Sequence, residues 1–320
     1  MGYRILVPEV VAECGLEDLR RAGFEVKKTG SIRKEDLIRD LQGCDGVIMR
    51  VAGLDADVLS ANPQLKAIGK HGVGVDSIDL DYCRAHGIAV VNTPHANSLS
   101  VAEHAIALML ACAKQFNYKS ACYRREDYAV KDRVLGNEIT GKVLGLIGYG
   151  NIGSRLAAIA RQGFGMEVVA YDPFLSEGMR EDGVEVTHDA QAVYRRADFI
   201  SVHTPATKQT IKSIGEEQFG WMKPTAYLIN TSRGSVVDEQ ALIRALREGQ
   251  LAGAGLDVTD PEPARGDNPL HGMDNVILTP HCAGVTLDSM NHMSQDVARG
   301  LIEVFSGQKP TWPVVWPEEK

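Results

Sequence analysis

Three side chains of reactive type stand just after three successive apolar runs in the last third of this 320-residue chain. Arg233 lies in Asn230-Thr231-Ser232-Arg233-Gly234, after the run 226–230. Glu262 lies in Asp257-Val258-Thr259-Asp260-Pro261-Glu262-Pro263, after 253–257, and His281 lies in Thr279-Pro280-His281-Cys282-Ala283-Gly284, after 276–279. An arginine beside a glycine at a strand end can hold a carboxylate through two parallel hydrogen bonds. Taken alone, a surface arginine capping a neighbouring helix reads equally well. Pro261 and Pro263 stiffen the loop and so fix where Glu262 points, although a solvated glutamate is the plainer reading of that residue by itself. His281 is flanked by small residues, so a ligand can approach a ring that gives or takes a proton near neutral pH. A lone histidine at a strand end is more often structural. Guanidinium, carboxylate and imidazole on consecutive strand ends of one sheet together suit carbonyl reduction. Cys282 beside His281 leaves the chain on the opposite side, which favours a packed thiol over a nucleophile. The nine histidines and six cysteines show neither H-E-x-x-H nor C-x-x-C, so no metal site is expected.

A cofactor motif precedes these residues. Val143–Gly153 reads as a buried strand, a tight turn and the start of a helix, with Gly148, Gly150 and Gly153 fitting G-x-G-x-x-G. The three glycines serve a sharp turn, close approach of backbone to a pyrophosphate, and close helix–strand packing. The helix beginning near Ile152 offers free N–H groups and a positive dipole end to phosphate. Glycine turns after strands are common, and an ordinary turn with a strand-end aspartate as helix cap is the alternative. The run 167–172 strengthens the motif: it ends in Asp172, 19 residues after Gly153, where a ribose-binding carboxylate is expected. A carboxylate there accepts from ribose hydroxyls and repels a 2′-phosphate, so NAD is favoured over NADP.

The elements that must position these groups read as α/β. Short apolar runs at 3–7, 46–51, 65–69 and 88–92 alternate with helical patterns at 14–22, 34–42, 55–62 and 79–86. Ser100 and Glu103 have capping-box spacing at the head of a long apolar helix to about Cys112. So apolar a helix is expected to be buried between domains or subunits. From Lys142 onward, runs at 143–148, 167–171, 198–202, 226–230, 253–257 and 276–279 predict a six- or seven-stranded doubly wound sheet. Helices are expected at about 152–161, at 238–248 before Gly249, and over an amphipathic stretch from Leu287 to Val304 that returns 310–320 to the first unit. Length predicts about two domains. A formal net charge of −8 argues against nucleic acid as the main partner. The apolar stretch 105–113 is too short to span a membrane. The N-terminus has no secretory layout, and free thiols fit a reducing cytoplasm.

The chain resembles the D-isomer-specific 2-hydroxyacid dehydrogenase family, nearer its phosphoglycerate dehydrogenase-like branch. The segments that carry the likeness are Gly72-Val73-Gly74-Val75-Asp76, Asn92-Thr93-Pro94 with Val101-Ala102-Glu103-His104, the glycine motif, His203-Thr204-Pro205, 230–234 with Val237-Asp238, 257–263 and 280–284. The resemblance implies two Rossmann-like or flavodoxin-like domains: a substrate domain from 1–99 and 285–320, with an NAD domain at 100–284 inserted into it. It implies Arg233, Glu262 and His281 as the catalytic set. His281 would protonate the keto oxygen as hydride moves from C4 of NADH to C2 of a 2-oxo acid, Glu262 would hold His281 and keep it cationic, and Arg233 would bind and polarise the substrate. Backbone N–H groups of Val73 and Gly74 would take the substrate carboxylate, and Arg50 is a further anchor for an anionic tail. Asn151, Ile152, Thr204, Thr231, Ser232, Asp257 and Gly284 join the glycines and Asp172 around NAD, with Asp257 near the carboxamide. A homodimer through the NAD domain and the 100–120 helix is implied.

Several departures bear on the substrate. After Arg50 stand Val51-Ala52-Gly53, where phosphoglycerate dehydrogenases usually carry Ser, Ala and Thr. Tyr123 and Tyr128 lie where many relatives carry Trp. No regulatory domain is expected after residue 320. Glu262 stands where formate dehydrogenases of the family carry Gln, which disfavours formate. Two other readings keep the fold: a hydrolase using bound NAD, and an NAD-sensing corepressor.

Overall fold

The computed structural model describes residues 2–317. The chain divides into two compact units, residues 1–97 with 284–320 and residues 98–283. Both are α/β.

In the first unit, β1 (Arg4–Val7), β2 (Glu25–Lys28), β3 (Gly46–Met49), β4 (Ala67–Lys70) and β5 (Ala89–Val91) pair in parallel in the order 2-1-3-4-5. This is the flavodoxin-like order. The runs β1, β3, β4 and β5 are apolar because both of their faces are covered. Helices α1 (Glu13–Arg21), α2 (Lys34–Asp40), α3 (Ala56–Ser60) and α4 (Leu80–His86) connect them. The strand missing from the sequence reading is β2, EVKK, a half-exposed edge strand with no apolar run to announce it.

The second unit opens with α5 (Ser98–Ala113), followed by α6 (Phe116–Tyr123) and α7 (Val130–Arg133). Its sheet contains β6 (Val143–Ile147), β7 (Glu167–Tyr171), β8 (Gly178–Met179), β9 (Glu185–Thr187), β10 (Phe199–Val202), β11 (Tyr227–Asn230), β12 (Gly253–Leu256) and β13 (Val276–Leu278). The order is 13-12-11-10-6-7-9-8, parallel except for the edge pair β8–β9. Eight strands replace the six or seven expected, because β8 and β9 are too short to read from pattern. Helices α8 (Asn151–Phe164), α9 (Ala190–Arg196), α10 (Glu216–Trp221) and α11 (Glu239–Arg247) complete it. The N-cap of α11 is Asp238, and Gly249 takes a left-handed φ of 69° just beyond its end.

Two expectations about α5 need correction. It begins at Ser98 rather than Ser100, so the unit boundary falls after Asn97, and no capping box forms, since the Ser100 hydroxyl donates to the Ala283 carbonyl at 2.7 Å. Its apolar side packs on its own unit's sheet and on α8. A Cβ on Gly255 of β12 would lie 3.0 Å from Leu108 Cβ, so helix and strand approach closely. Burying Leu108, Met109 and Ile106 contributes about 1.5–3 kcal/mol each as an upper estimate.

The chain returns to the first unit through α12 (Leu287–Phe305), capped by Thr286, and β14 (Pro313–Val315), which pairs antiparallel with β5. The end of the expected return, 318–320, lies outside the described residues. Val297, Ala298 and Leu301 of α12 cover Ile5, Ile48 and Ala67 in the buried core of the first unit.

Candidate active site

In a parallel α/β sheet, ligands bind beyond the carboxyl ends of the strands, where the strand order reverses. In the second unit that reversal falls at β6, and the turn from β6 into α8 is the glycine motif. Gly148 has φ 99°, and a Cβ there would meet the His203 carbonyl carbon and oxygen at 3.0 Å. A Cβ on Gly153 would lie 2.6 Å from the Gly148 oxygen. At Gly150 a Cβ would meet nothing within 4 Å, so its place is open for a ligand rather than filled by protein. Gly150 is the N-cap of α8, which brings Asn151, Ile152 and Gly153 into its first turn.

Asp172, at the end of β7, holds this turn from one side. Its Oδ2 accepts from the Tyr149 N–H at 2.9 Å and its Oδ1 from the Phe174 N–H at 3.0 Å. The Tyr149 hydroxyl donates to Asp182 at 2.6 Å. His203, at the end of β10, lies beneath Gly153, with Nε2 at 2.9 Å from the Ser201 hydroxyl and a buried, unpartnered Nδ1. The buried hydroxyls of Thr204 and Thr231 also have no hydrogen-bond partner among the described residues. Two orphaned hydroxyls, an open glycine and a strand-end carboxylate fit a dinucleotide.

After β11, Asn230 builds the turn that carries Arg233. Its Oδ1 accepts from the Ser232 N–H at 3.0 Å and the Ser232 hydroxyl at 2.9 Å, and its Nδ2 donates to the Arg233 carbonyl at 3.0 Å. Arg233 Nη1 donates to the Ser232 carbonyl at 2.8 Å. After β12, Glu262 sits between two cis X-Pro bonds, Asp260-Pro261 and Glu262-Pro263. Its Oε1 lies 2.5 Å from His281 Nδ1, and the two side chains are 39% and 41% exposed. With Nδ1 committed to the carboxylate, His281 Nε2 has no partner among the described residues and remains open to a ligand. His281 has φ 50°, an uncommon conformation for a residue with a side chain.

Asp257 holds that conformation from below. Its backbone oxygen accepts from the His281 N–H at 2.8 Å. Its carboxylate, 1% exposed, accepts from the Thr279 hydroxyl at 2.5 Å, the Cys282 N–H at 2.9 Å and the Ala283 N–H at 2.8 Å. His104 Nε2 lies 3.0 Å from the same Thr279 hydroxyl. The possible ligand atoms of His104, Asp257 and Cys282 lie within 4.8 Å of one another. Protein donors already engage both Asp257 oxygens, so the cluster reads as a hydrogen-bond network. Burial, then the Asp257 charge, pushes the Cys282 thiol up, away from the nucleophilic thiolate.

Residues 106–283 match the family model described as D-isomer specific 2-hydroxyacid dehydrogenase, NAD binding domain. This chain belongs to that family. The 2-hydroxyacid dehydrogenase chain is 38% identical over 306 residues to D-3-phosphoglycerate dehydrogenase of Archaeoglobus fulgidus, covering 95% of this chain and 58% of that protein. It thus spans little more than half the length of the phosphoglycerate dehydrogenases it matches. It is 36% identical over 318 residues to glyoxylate reductase of Korarchaeum cryptofilum, covering 97% and 95% of the two chains. The crystal structure of the TT0316 protein from Thermus thermophilus superposes with a TM-score of 0.90 at 34% identity, covering 98% of this chain and all of that one.

The other singled-out residues of this 2-hydroxyacid dehydrogenase family member lie in the first unit. Val73 and Gly74 follow β4, and their backbone N–H groups find no acceptor among the described residues. Arg50 follows β3, and its Nη1 donates to the Val10 carbonyl at 3.0 Å. Gly284 falls in the first unit, one residue beyond the expected division. It packs against Asn97, and its carbonyl accepts from the Ser289 hydroxyl at 2.6 Å. Asn230, Thr279 and His104 went unnoticed as supports in the sequence. Only Asn230 carried a usable signal, an asparagine at a strand end before small polar residues, where its side chain folds onto nearby backbone.

Proposed function

We propose that this chain is an NAD-dependent oxidoreductase that interconverts a small D-2-hydroxy acid and its 2-oxo acid. The observation that carries the reading is the Glu262–His281 pair, which leaves Nε2 open on the same sheet as the glycine turn. When bound, the nicotinamide supplies the hydride that is delivered to C2. Protonated Nε2 of His281 donates to the carbonyl oxygen, and the Glu262 carboxylate stabilises the positive ring through Nδ1. Arg233 binds and polarises the substrate as charge develops on that oxygen. In the oxidative direction neutral Nε2 takes the hydroxyl proton. The unpaired N–H groups of Val73 and Gly74 suit the substrate carboxylate, and Arg50 suits a second anionic group. Asn151, Ile152, Gly153, Thr204, Thr231, Ser232, Asp257 and Gly284 are assigned to NAD, and Asp172 favours it over NADP.

Candidate substrates are glyoxylate, hydroxypyruvate and the oxidised form of 3-phosphoglycerate, acids akin to those in the names of the relatives. A homodimer is supported by the exposed Leu99, Phe116, Tyr123, Tyr128 and Leu135 on and around the long helix. Six free thiols support a reducing cytoplasm. Among the described residues no helix is long and apolar enough to cross a membrane. Retention of Arg233, Glu262 and His281 together favours turnover over a sensing or corepressor role, and net charge −8 favours no nucleic-acid partner. Nicotinamide absorbance with a panel of 2-oxo acids, NADH and NADPH tests the proposal. His281→Asn should remove turnover while NADH binding, followed by fluorescence, persists. Undiminished turnover in that variant defeats the assignment.

A further inference from the structure

Within the second unit, one aspartate carries the backbone around His281. Asp257, just after β12, takes three successive N–H groups of the 281–283 turn. Its carbonyl accepts from His281 at 2.8 Å, its Oδ1 from Cys282 at 2.9 Å and its Oδ2 from Ala283 at 2.8 Å. Successive backbone N–H groups gathered around one anion form a nest, and here the chain supplies the anion itself. The grip matters because His281 stands at φ 50°. A residue with a side chain stays in that region only where its surroundings over-determine it. The aim of the imidazole therefore depends on where the Asp257 carboxylate is held.

Two side chains hold it. A carboxylate only accepts, and a hydroxyl has a single hydrogen to give. The Thr279 hydroxyl gives that hydrogen to Asp257 Oδ1 at 2.5 Å. Only its lone pairs remain for His104, whose Nε2 lies 3.0 Å away. That ring nitrogen must then carry a hydrogen and donate, so the network fixes the tautomer of His104. Nε2 is 3.6 Å from Asp257 Oδ1, too far for a hydrogen bond, so His104 reaches the carboxylate through the hydroxyl. The donors thus run one way, from His104 on α5 to Thr279 after β13 and on to Asp257 after β12. The Asp257 side chain is 1% exposed, and burial leaves a lost donor unreplaced.

We propose that His104 and Thr279 are positioning residues for the hydride-transfer reaction. Together they orient the Asp257 carboxylate, which fixes the 281–283 backbone and so the direction of the His281 ring. Glu262 holds that ring at Nδ1, and the donor chain holds it from the backbone side. This rests on the dehydrogenase reading and adds to it two residues that act without touching the reacting atoms. Packing alone is the competing role. It predicts lost stability with the chemical step unchanged, and it gives the hydroxyl and the ring N–H no special place.

The test uses the full chain with NADH and either glyoxylate or hydroxypyruvate, in the variants Thr279→Val, Thr279→Ser, His104→Leu and His104→Gln. Valine keeps the shape of threonine without its hydroxyl, and serine keeps the hydroxyl. Leucine removes the ring donor, and glutamine offers an N–H close to the place of Nε2. The readout is the single-turnover rate of NADH oxidation, which follows the chemical step. Thr279→Val and His104→Leu should each lower it about tenfold or more, while NADH affinity, followed by fluorescence, changes less than about threefold. Thr279→Ser and His104→Gln should recover most of the loss. Thermal melts report whether each variant is folded, and the His104 pair carries the test if Thr279→Val is not. Unchanged rates in the valine and leucine variants, equal losses in the conservative variants, or a loss confined to NADH affinity overturns the inference and leaves the dehydrogenase reading standing. If wild type reduces no 2-oxo acid, the dehydrogenase reading falls and takes this one with it.

Discussion

At the scale of single residues, this family member divides its work between side chains that face a ligand and side chains that hold backbone. Asp172 holds the N–H groups of Tyr149 and Phe174 with its two oxygens, and the proposed function gives its negative charge a second task, disfavouring a 2′-phosphate. Asp172→Ala should therefore weaken both cofactors but NADH more, raising the NADPH-to-NADH ratio of kcat/KM about tenfold or beyond. An unchanged ratio refutes the ribose assignment. The strand-end placement of Arg233, Glu262 and His281 was legible in the sequence because each follows an apolar run that reads as a buried strand. The supports Thr279 and His104 were not, since they act through a hydroxyl across 22 and 175 residues of chain. The Ser100–Glu103 spacing misled, because a tertiary acceptor, the Ala283 carbonyl, took the hydroxyl first.

At the scale of the element, the strand–turn–helix at 143–164 separates packing from binding, and its glycines should separate under mutation. Gly150→Ala adds a methyl where nothing lies within 4 Å, so the melting temperature should move little while NADH affinity drops. Gly153→Ala forces a methyl to 2.6 Å from the Gly148 oxygen and should destabilise the fold by about 1–3 kcal/mol as well as weaken NADH. Calorimetry with a nucleotide titration distinguishes them, and equal melting temperatures contradict the division. The buried parallel strands of both sheets were readable because doubly covered strands are continuously apolar. The edge strands β2 and β8 were not, because an edge has a solvent side and tolerates EVKK or two residues of Gly-Met, and β9, between β7 and β8, is only three residues long.

At the scale of the whole molecule, stability should depend on pH through two histidines buried neutral. Burial pushes His71 and His203 down to about 4 from a usual value of 6.5. Between those values the unfolded chain binds protons that the folded chain refuses, so stability is lost as pH falls from about 6.5 through 4. Each group accounts for up to about 3 kcal/mol. Melting temperatures should fall over this range, and His203→Gln should make the fall about half as steep. A fall just as steep in that variant assigns the acid sensitivity elsewhere. The first unit is also discontinuous: its sheet is laid down by residue 91, but α12 and β14, which cover and extend it, come from residues 287–315. A Cβ on Gly69 would sit 2.5 Å from Val297, so that surface is shaped for a helix still unmade when its strands leave the ribosome. The nascent N-terminal third must wait for nearly two hundred more residues with the part of its apolar side that α12 covers still exposed, a condition that favours aggregation during synthesis.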